Sequence, residues 1–158
     1  LVAASRDACA TIEIWATDVS AEALEVAQSN ANRHEVENNI RFLQSDLLQD
    51  LPNSVKADVV VSNPPYVAKW ELAKLPKEVG DFEPVRALAA GEDGLEVIHR
   101  LAMDARRVLK PSGFVALEMG AGQRMAVEAL FVKAGYAIDQ VVKDLQGHER
   151  VIVARLKM

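Results

Sequence analysis

The sequence predicts an α/β domain: an open, mainly parallel sheet covered by helices, closed by an antiparallel pair of strands at the carboxyl end. Three observations carry that expectation. Short β-branched runs alternate with stretches of helical period along the chain, the pattern of a sheet built by crossover connections. The run Ala57–Ser62 contains Val59-Val60-Val61, a composition suited to a strand buried on both faces of a parallel sheet. The last two strand-like runs are joined only through a short connection holding Gly147-His148-Glu149, which allows an antiparallel return.

Each element has its own local warrant. Residues 11–17 hold Ile12, Ile14 and Trp15 and end at Asp18, so they read as a strand. Ser20 is an N-cap, Glu22 suits a first helical turn, and Leu24, Ala27 and Ala31 recur at helical spacing. That helix should fade near Arg33-His34, before a turn at Asn38-Asn39. Residues 40–43 form a short strand that ends at Ser45-Asp46, and Leu51-Pro52-Asn53 marks a loop. The valine-rich strand stops at Asn63-Pro64-Pro65, because proline lacks the amide donor a ladder needs.

A long connection over residues 67–92 carries Pro76, Gly80, Pro84 and Gly91, with room for a short helix over 71–75. Leu95, Ile98, Ala102, Ala105 and Leu109 then step by three and four, giving an amphipathic helix stopped by Pro111 and Gly113. Residues 114–118 are a strand. Residues 121–134 are a helix with Ala126, Leu130 and Ala134 on one face and Gly135 as the C′ residue. Residues 137–143 and 151–156 are the closing strands. The predicted order is β-α-β-β-α-β-α-β-β.

The chain has 158 residues, of which 50% are apolar and 26% charged. That balance fits one folded domain and excludes a disordered polyelectrolyte. No apolar run approaches the ~20 residues that span a bilayer. A single cysteine, Cys9, excludes an intrachain disulfide and a cysteine-based zinc cluster, and it is compatible with a reducing compartment. Eighteen basic against 23 acidic residues give a net charge of −5, which weighs against a nucleic-acid partner. Arg100, Arg106, Arg107 and Lys110 cluster near one helix end, where cations complement the dipole. His34, His99 and His148 lack metal-ligand spacing.

Open parallel sheets bind ligands beyond the carboxyl ends of their strands, so the informative residues are those just after each strand. Asp18 is placed to accept from a ribose diol or to cap the following helix. Asp46 is placed to accept from an exocyclic amine, with the backbone of Leu47 beside it, or to serve as a turn residue. Asn63-Pro64-Pro65-Tyr66 is more specific. Two prolines stiffen the backbone and Pro64 holds Asn63 out of helical geometry. The result is a ledge on which the Asn63 side-chain carbonyl and the Pro64 main-chain carbonyl can accept from one –NH2 group. Tyr66 can pack against the plane of that group.

This tetrapeptide, following its strand, resembles class I S-adenosylmethionine-dependent methyltransferases that methylate planar nitrogen, among them N6-adenine DNA enzymes and protein-glutamine N5 enzymes. The segments that follow separate the two. Asp81-Phe82-Glu83-Pro84, Ala87-Leu88, Gly91-Glu92-Asp93-Gly94-Leu95, Leu117-Glu118-Met119-Gly120 and Glu149-Arg150 resemble the protein-(glutamine-N5) methyltransferase family over essentially the whole chain. Gly135-Tyr136 and His148-Glu149-Arg150 resemble its release-factor branch more than the related ribosomal-protein branch.

The resemblance implies a class I (Rossmann-like) fold and S-adenosyl-L-methionine as cofactor. It implies a cytoplasmic enzyme whose protein partner is a peptide chain release factor, methylated on the glutamine of a Gly-Gly-Gln motif, with no membrane and no direct nucleic-acid contact. It places Asp18 on the cofactor ribose, Asp46 and Leu47 around the adenine, and Asn63 near the methionine end. It assigns Asn63, Pro64, Pro65 and Tyr66 to binding and orienting the substrate glutamine, and it gives Glu83 and Glu118 no chemical role. A ribosomal-protein glutamine N5-methyltransferase, an N6-adenine methyltransferase of nucleic acid and a non-catalytic binding module or fragment remain the alternatives.

The family also has a first strand and a glycine-rich cofactor loop ahead of the Asp18 strand, and a substrate-recognising helical domain before those. Residues 1–10 resemble the helix after the loop. The expectation is therefore one methyltransferase domain over residues 1–158 that is incomplete at its amino end, with two sheet edges left unpaired.

Overall fold

The computed structural model describes residues 12–72 and 90–157. The chain divides into two compact units, Leu1–Pro52 and Asn53–Met158. Cys9, the 81–84 segment with Glu83, and Ala87-Leu88 lie outside the described residues.

In the first unit, β1 (Ile14–Asp18) is followed by α1 (Ala21–Arg33), a 3-10 turn at Glu37–Asn39, and β2 (Ile40–Gln44). The two strands pair in parallel, with Ile14 opposite Ile40 and Asp18 opposite Gln44. Helix α1 starts where the N-cap signal puts it: the Ser20 hydroxyl accepts from the Ala23 amide at 3.1 Å, satisfying one orphan donor of the first turn. It ends in a Schellman arrangement. The Val36 amide donates to the Ala31 carbonyl at 3.1 Å and the Glu35 amide to the Asn32 carbonyl at 3.0 Å, and Val36 and Ala31 are both buried. Glu35 takes the left-handed position with φ 58°.

In the second unit the order is β3 (Ala57–Ser62), α2 (Lys69–Leu72), α3 (Glu96–Val108), β4 (Leu109–Glu118), α4 (Arg124–Lys133), β5 (Tyr136–Lys143) and β6 (Glu149–Leu156). The four strands lie in the spatial order β3-β4-β6-β5. The β3–β4 pair is parallel. β6 runs antiparallel to both β4 and β5, so the closing pair forms as expected and its second strand inserts beside β4. The core is built by Ile98, Leu101, Ala102, Ala105 and Val108 of α3, Val115 and Leu117 of β4, Val127 and Phe131 of α4, and Ile152 and Ala154 of β6. Tyr136 is fully buried against Phe131, edge to face at 5.1 Å, and its hydroxyl donates to the Ala102 carbonyl at 2.9 Å. Burial pushes its phenol up to about 12.

Several sequence expectations shift, while the expected unpaired edges of β1 and β3 are seen among the described residues. Val59 and Val61 are 41% and 54% exposed, and of the three valines only Val60 is buried. Among the described residues β3 pairs only with β4, and β1 only with β2. The α3 helix ends at Val108 rather than at Pro111. Leu109 is already extended, and β4 absorbs Pro111 and Gly113 at an irregularity between the Ala57–Leu109 and Val59–Phe114 pairs, which is how a strand tolerates a residue without an amide donor. The α4 helix starts at Arg124, not residue 121, because Gly122 has φ +83°, a conformation no α-helix contains. Its core face carries Val127 and Phe131; Ala126 is exposed and Leu130 is half-buried. The basic cluster is partly used in packing: Lys110 pairs with Asp58 at 2.8 Å, Arg107 donates to Asn53 at 3.1 Å, and Lys56 caps the Arg107 carbonyl at 2.8 Å.

Candidate active site

The first unit brings two strand ends together. The Ser45 amide donates to the Asp18 carbonyl at 2.9 Å, so the turns after β1 and β2 are joined. Ser45 is 3% exposed, and its hydroxyl accepts from the Asp50 amide at 3.1 Å. Sequence reading passed over Ser45, since only the contact distinguishes it from an ordinary turn serine. Asp18 is exposed. Its Oδ1 accepts from the Ser20 amide at 2.8 Å, and its other oxygen makes no hydrogen bond among the described residues. It therefore fixes the start of α1 and still presents one acceptor. Asp46 is exposed, and its carbonyl accepts from the Gln49 amide at 3.2 Å. Leu47 has φ 55°, a left-handed conformation that costs an L-residue roughly 1–2 kcal/mol. Strain of that kind concentrates at binding sites.

The second unit builds the Asn-Pro-Pro-Tyr ledge. Asn63 is exposed at the end of β3, and Pro64 behind it is buried. Among the described residues the Asn63 carboxamide makes no hydrogen bond, so its carbonyl is open to an incoming N–H. Tyr66 is half-buried and its hydroxyl donates to Glu118 Oε1 at 3.3 Å. This gives Glu118, whose role the sequence left open, a definite contact: it anchors the ring of the ledge tyrosine from the end of β4.

The motif residues beyond the ledge hold its far side. The Ala90 amide donates to the Val67 carbonyl and the Lys69 amide to the Gly91 carbonyl, both at 3.0 Å, a short extended bridge. Lys69 pairs with Glu92 at 2.9 Å. Asp93 Oδ1 accepts from the Leu95 amide at 3.0 Å. Gly94 has φ +76°, and a Cβ there would lie 2.5 Å from the Tyr66 carbonyl oxygen. Glycine is required twice over at that point, for the backbone angle and for the close approach.

The carboxyl end of β4 is fastened by the closing hairpin. The Met119 amide donates to the Arg150 carbonyl at 2.8 Å. The Arg150 guanidinium reaches Asp144 Oδ2 at 3.1 Å and the Met119 carbonyl at 3.5 Å. Desolvation pulls the Asp144 carboxyl upward, but the His148 amide, Arg150 and the Gln146 amide together leave it below its ordinary value. The Glu149-Arg150 motif is thus a brace for the strand end that carries Glu118, with Glu149 itself paired to Arg124.

No metal-holding group of three His, Cys, Asp or Glu residues is present among the described residues. No helix among them is long and apolar enough to cross a membrane.

Comparison with known proteins finds methyltransferases. The family described as methyltransferase small domain matches residues 1–76. A bifunctional methyltransferase of Rickettsia felis is 44% identical over 140 residues, covering 89% of this chain and 26% of the relative. A release factor glutamine methyltransferase of Bacillus subtilis is 40% identical over 146 residues, covering 91% of this chain and 50% of the relative. The chain therefore spans about a quarter of the first relative's length and half of the second's. Among solved structures, a methyltransferase from Pyrococcus furiosus superposes with a TM-score of 0.67 at 20% identity, covering 99% of this chain and 68% of that one. The chain has the fold of the class I methyltransferases, and over about nine-tenths of its length its sequence is similar to release factor glutamine methyltransferases.

Proposed function

We propose that this chain, as one methyltransferase domain, transfers a methyl group from S-adenosyl-L-methionine to the side-chain amide nitrogen of a glutamine in a protein substrate, and that the substrate is the Gly-Gly-Gln glutamine of a peptide chain release factor. The observation that carries this is Asn63: an exposed carboxamide with an open carbonyl, at a strand end, on a buried proline, beside a tyrosine anchored on two sides. The release-factor substrate is supported by the names of relatives at 34–40% identity.

The cofactor, when bound, supplies an electrophilic methyl on sulfonium. The residues present suit it. Asp18 keeps an unused acceptor of the kind a ribose diol needs, and Asp46 with strained Leu47 offers an exposed, preshaped turn for the adenine.

An amide nitrogen is a poor nucleophile because its lone pair is delocalised. The Asn63 side-chain carbonyl and the Pro64 main-chain carbonyl accept from its two N–H bonds and fix its direction, while Tyr66 and Pro65 flank the plane. Orientation of this kind is worth up to ~7–11 kcal/mol in well-ordered systems. The two acceptors also favour the positive charge that grows on nitrogen, the inverse of an oxyanion hole. In the balance of the transfer the methyl–sulfonium bond would break to leave a neutral thioether, and the nitrogen would gain the methyl and lose one proton to solvent, so no strong base is needed beforehand. A hydroxyl substrate would leave one acceptor unpaired, which discriminates against it.

The test is label transfer. The protein is incubated with methyl-tritiated S-adenosylmethionine and a release factor, and the labelled peptide is sequenced by mass spectrometry. Label is expected on the Gly-Gly-Gln glutamine, falling at least about a hundredfold with Asn63→Ala, as for a lost positioning contact. Unchanged labelling in that variant would overturn the assignment of Asn63. Label in DNA as 6-methyladenine would replace the substrate class altogether.

A further inference from the structure

Three chain segments that the sequence places far apart meet at one side chain that no motif singled out. Gln123 precedes α4, in the turn after β4. Its Oε1 accepts from the Gly120 amide at 2.8 Å. Its Nε2 donates to the Tyr66 carbonyl at 2.9 Å and reaches the Gly94 carbonyl at 3.5 Å. One planar carboxamide thereby ties together the ledge, the glycine loop before α3 and the end of β4.

Both partner glycines are shaped around it. A Cβ on Gly120 would sit 2.8 Å from Gln123 Oε1 and 3.1 Å from the Tyr66 ring, and one on Gly94 would sit 2.8 Å from Gln123 Nε2. Contacts below 3.0 Å force something to move, and here the obstacle is the pinned end of a bonded amide. The geometry also demands glutamine. Asparagine is one methylene short. A glutamate keeps the acceptor for Gly120 but loses both donors and sets a carboxylate against the Tyr66 carbonyl.

We infer that Gln123 is a positioning residue for the methyl-transfer site: it sets the main chain of Tyr66, and through it the direction of the ledge that holds the substrate amide. The inference rests on the function proposed above and deepens it. Gln123 acts through Tyr66 and is assigned no contact with cofactor or substrate.

Two variants separate its two halves. Gln123→Ala removes every contact, and Gln123→Glu preserves only the acceptor for Gly120. Both are expected to lower kcat for methylation of a Gly-Gly-Gln peptide by about ten- to a hundredfold, the range for a misplaced reacting group, with the affinity for S-adenosylmethionine within twofold of the parent. Hydrogen exchange of the Gly120 amide should speed up in Gln123→Ala and stay protected in Gln123→Glu. A parent-like kcat in both variants would overturn the positioning role, as would a loss seen only as weaker cofactor binding. A parent protein that transfers no methyl would overturn the functional proposal. The strut would still be decided by exchange, since a Gly120 amide equally protected in Gln123→Ala shows that the carboxamide holds nothing.

Discussion

At the residue scale, the ledge is an acceptor site whose accuracy depends on groups that never meet the substrate. Asn63 gains its open carbonyl because the two residues after it, Pro64 and Pro65, are prolines, which contribute no amide donors to satisfy it. Tyr66 gains its fixed orientation from Glu118, Gln123 and the Gly94 approach. The Tyr66–Glu118 contact is half-buried and rather long at 3.3 Å, so it belongs at the lower end of hydrogen-bond worth. A double-mutant cycle on Tyr66→Phe and Glu118→Ala, read by urea unfolding, should return a coupling of about 0.5–1.5 kcal/mol, the range for an ordinary net hydrogen bond and below that for a well-made bond to a charged group. A coupling within error of zero would mean that the phenol is free to turn, and Glu118 would lose the role assigned to it.

At the scale of the element, the helix ends show where local chemistry is imperfect. Glu35 occupies the left-handed C′ position of α1, with both Schellman hydrogen bonds formed around it. At the equivalent place after α4 stands Gly135, with φ +90°. Glu35→Gly is therefore expected to stabilise the chain by about 0.5–1 kcal/mol, the left-handed penalty less the extra entropy glycine loses on folding. Gly135→Ala should destabilise it by a similar amount. Thermal unfolding of both variants checks this, and destabilisation by Glu35→Gly would show that the glutamate side chain contributes more than its backbone costs. The contrast also explains what sequence revealed. Ser20, with Glu22 behind it, and the Asn63-Pro64-Pro65-Tyr66 ledge were legible because their chemistry is contiguous. The second-unit strands were legible because their side chains alternate or run apolar. The bulge that absorbs Pro111 and the Val127–Phe131 face of α4 were not, because each is settled by tertiary contact over propensity; the turn at Glu35 was not, because a glutamate stands where the left-handed position favours glycine. Gln123, Ser45 and Glu118 were hidden for the same reason: the Gln123 and Tyr66 partners stand 57 residues apart.

At the scale of the whole molecule, burial is distributed unevenly. The described part of the first unit buries the apolar residues Ala31, Val36 and Leu51, together with Ser45. The second buries the interlocking set from α3, β4, α4 and β6, including Phe131, Tyr136, Ile98 and Leu117 at or near zero exposure. β4 and β6 also have a partner strand on each side, whereas β3 has one among the described residues and shows Val59 and Val61 to solvent. Opening free energy follows buried apolar contact and ladder closure. Native-state hydrogen exchange should therefore rank the amides of β4 and β6 as slowest, β5 next, and β1 and β2 fastest, with about tenfold in rate for each 1.4 kcal/mol of opening energy. Saturating S-adenosylmethionine should slow exchange after β1 and β2, at Val19 and Leu47, because any ligand that binds only the folded form stabilises it by mass action. Slowing confined to the second unit would remove Asp18, Asp46 and Leu47 from the cofactor site and leave the ledge as the whole of the binding machinery in this chain. Equal protection of all six strands would mean that the two units open as one, with stability shared where burial is not.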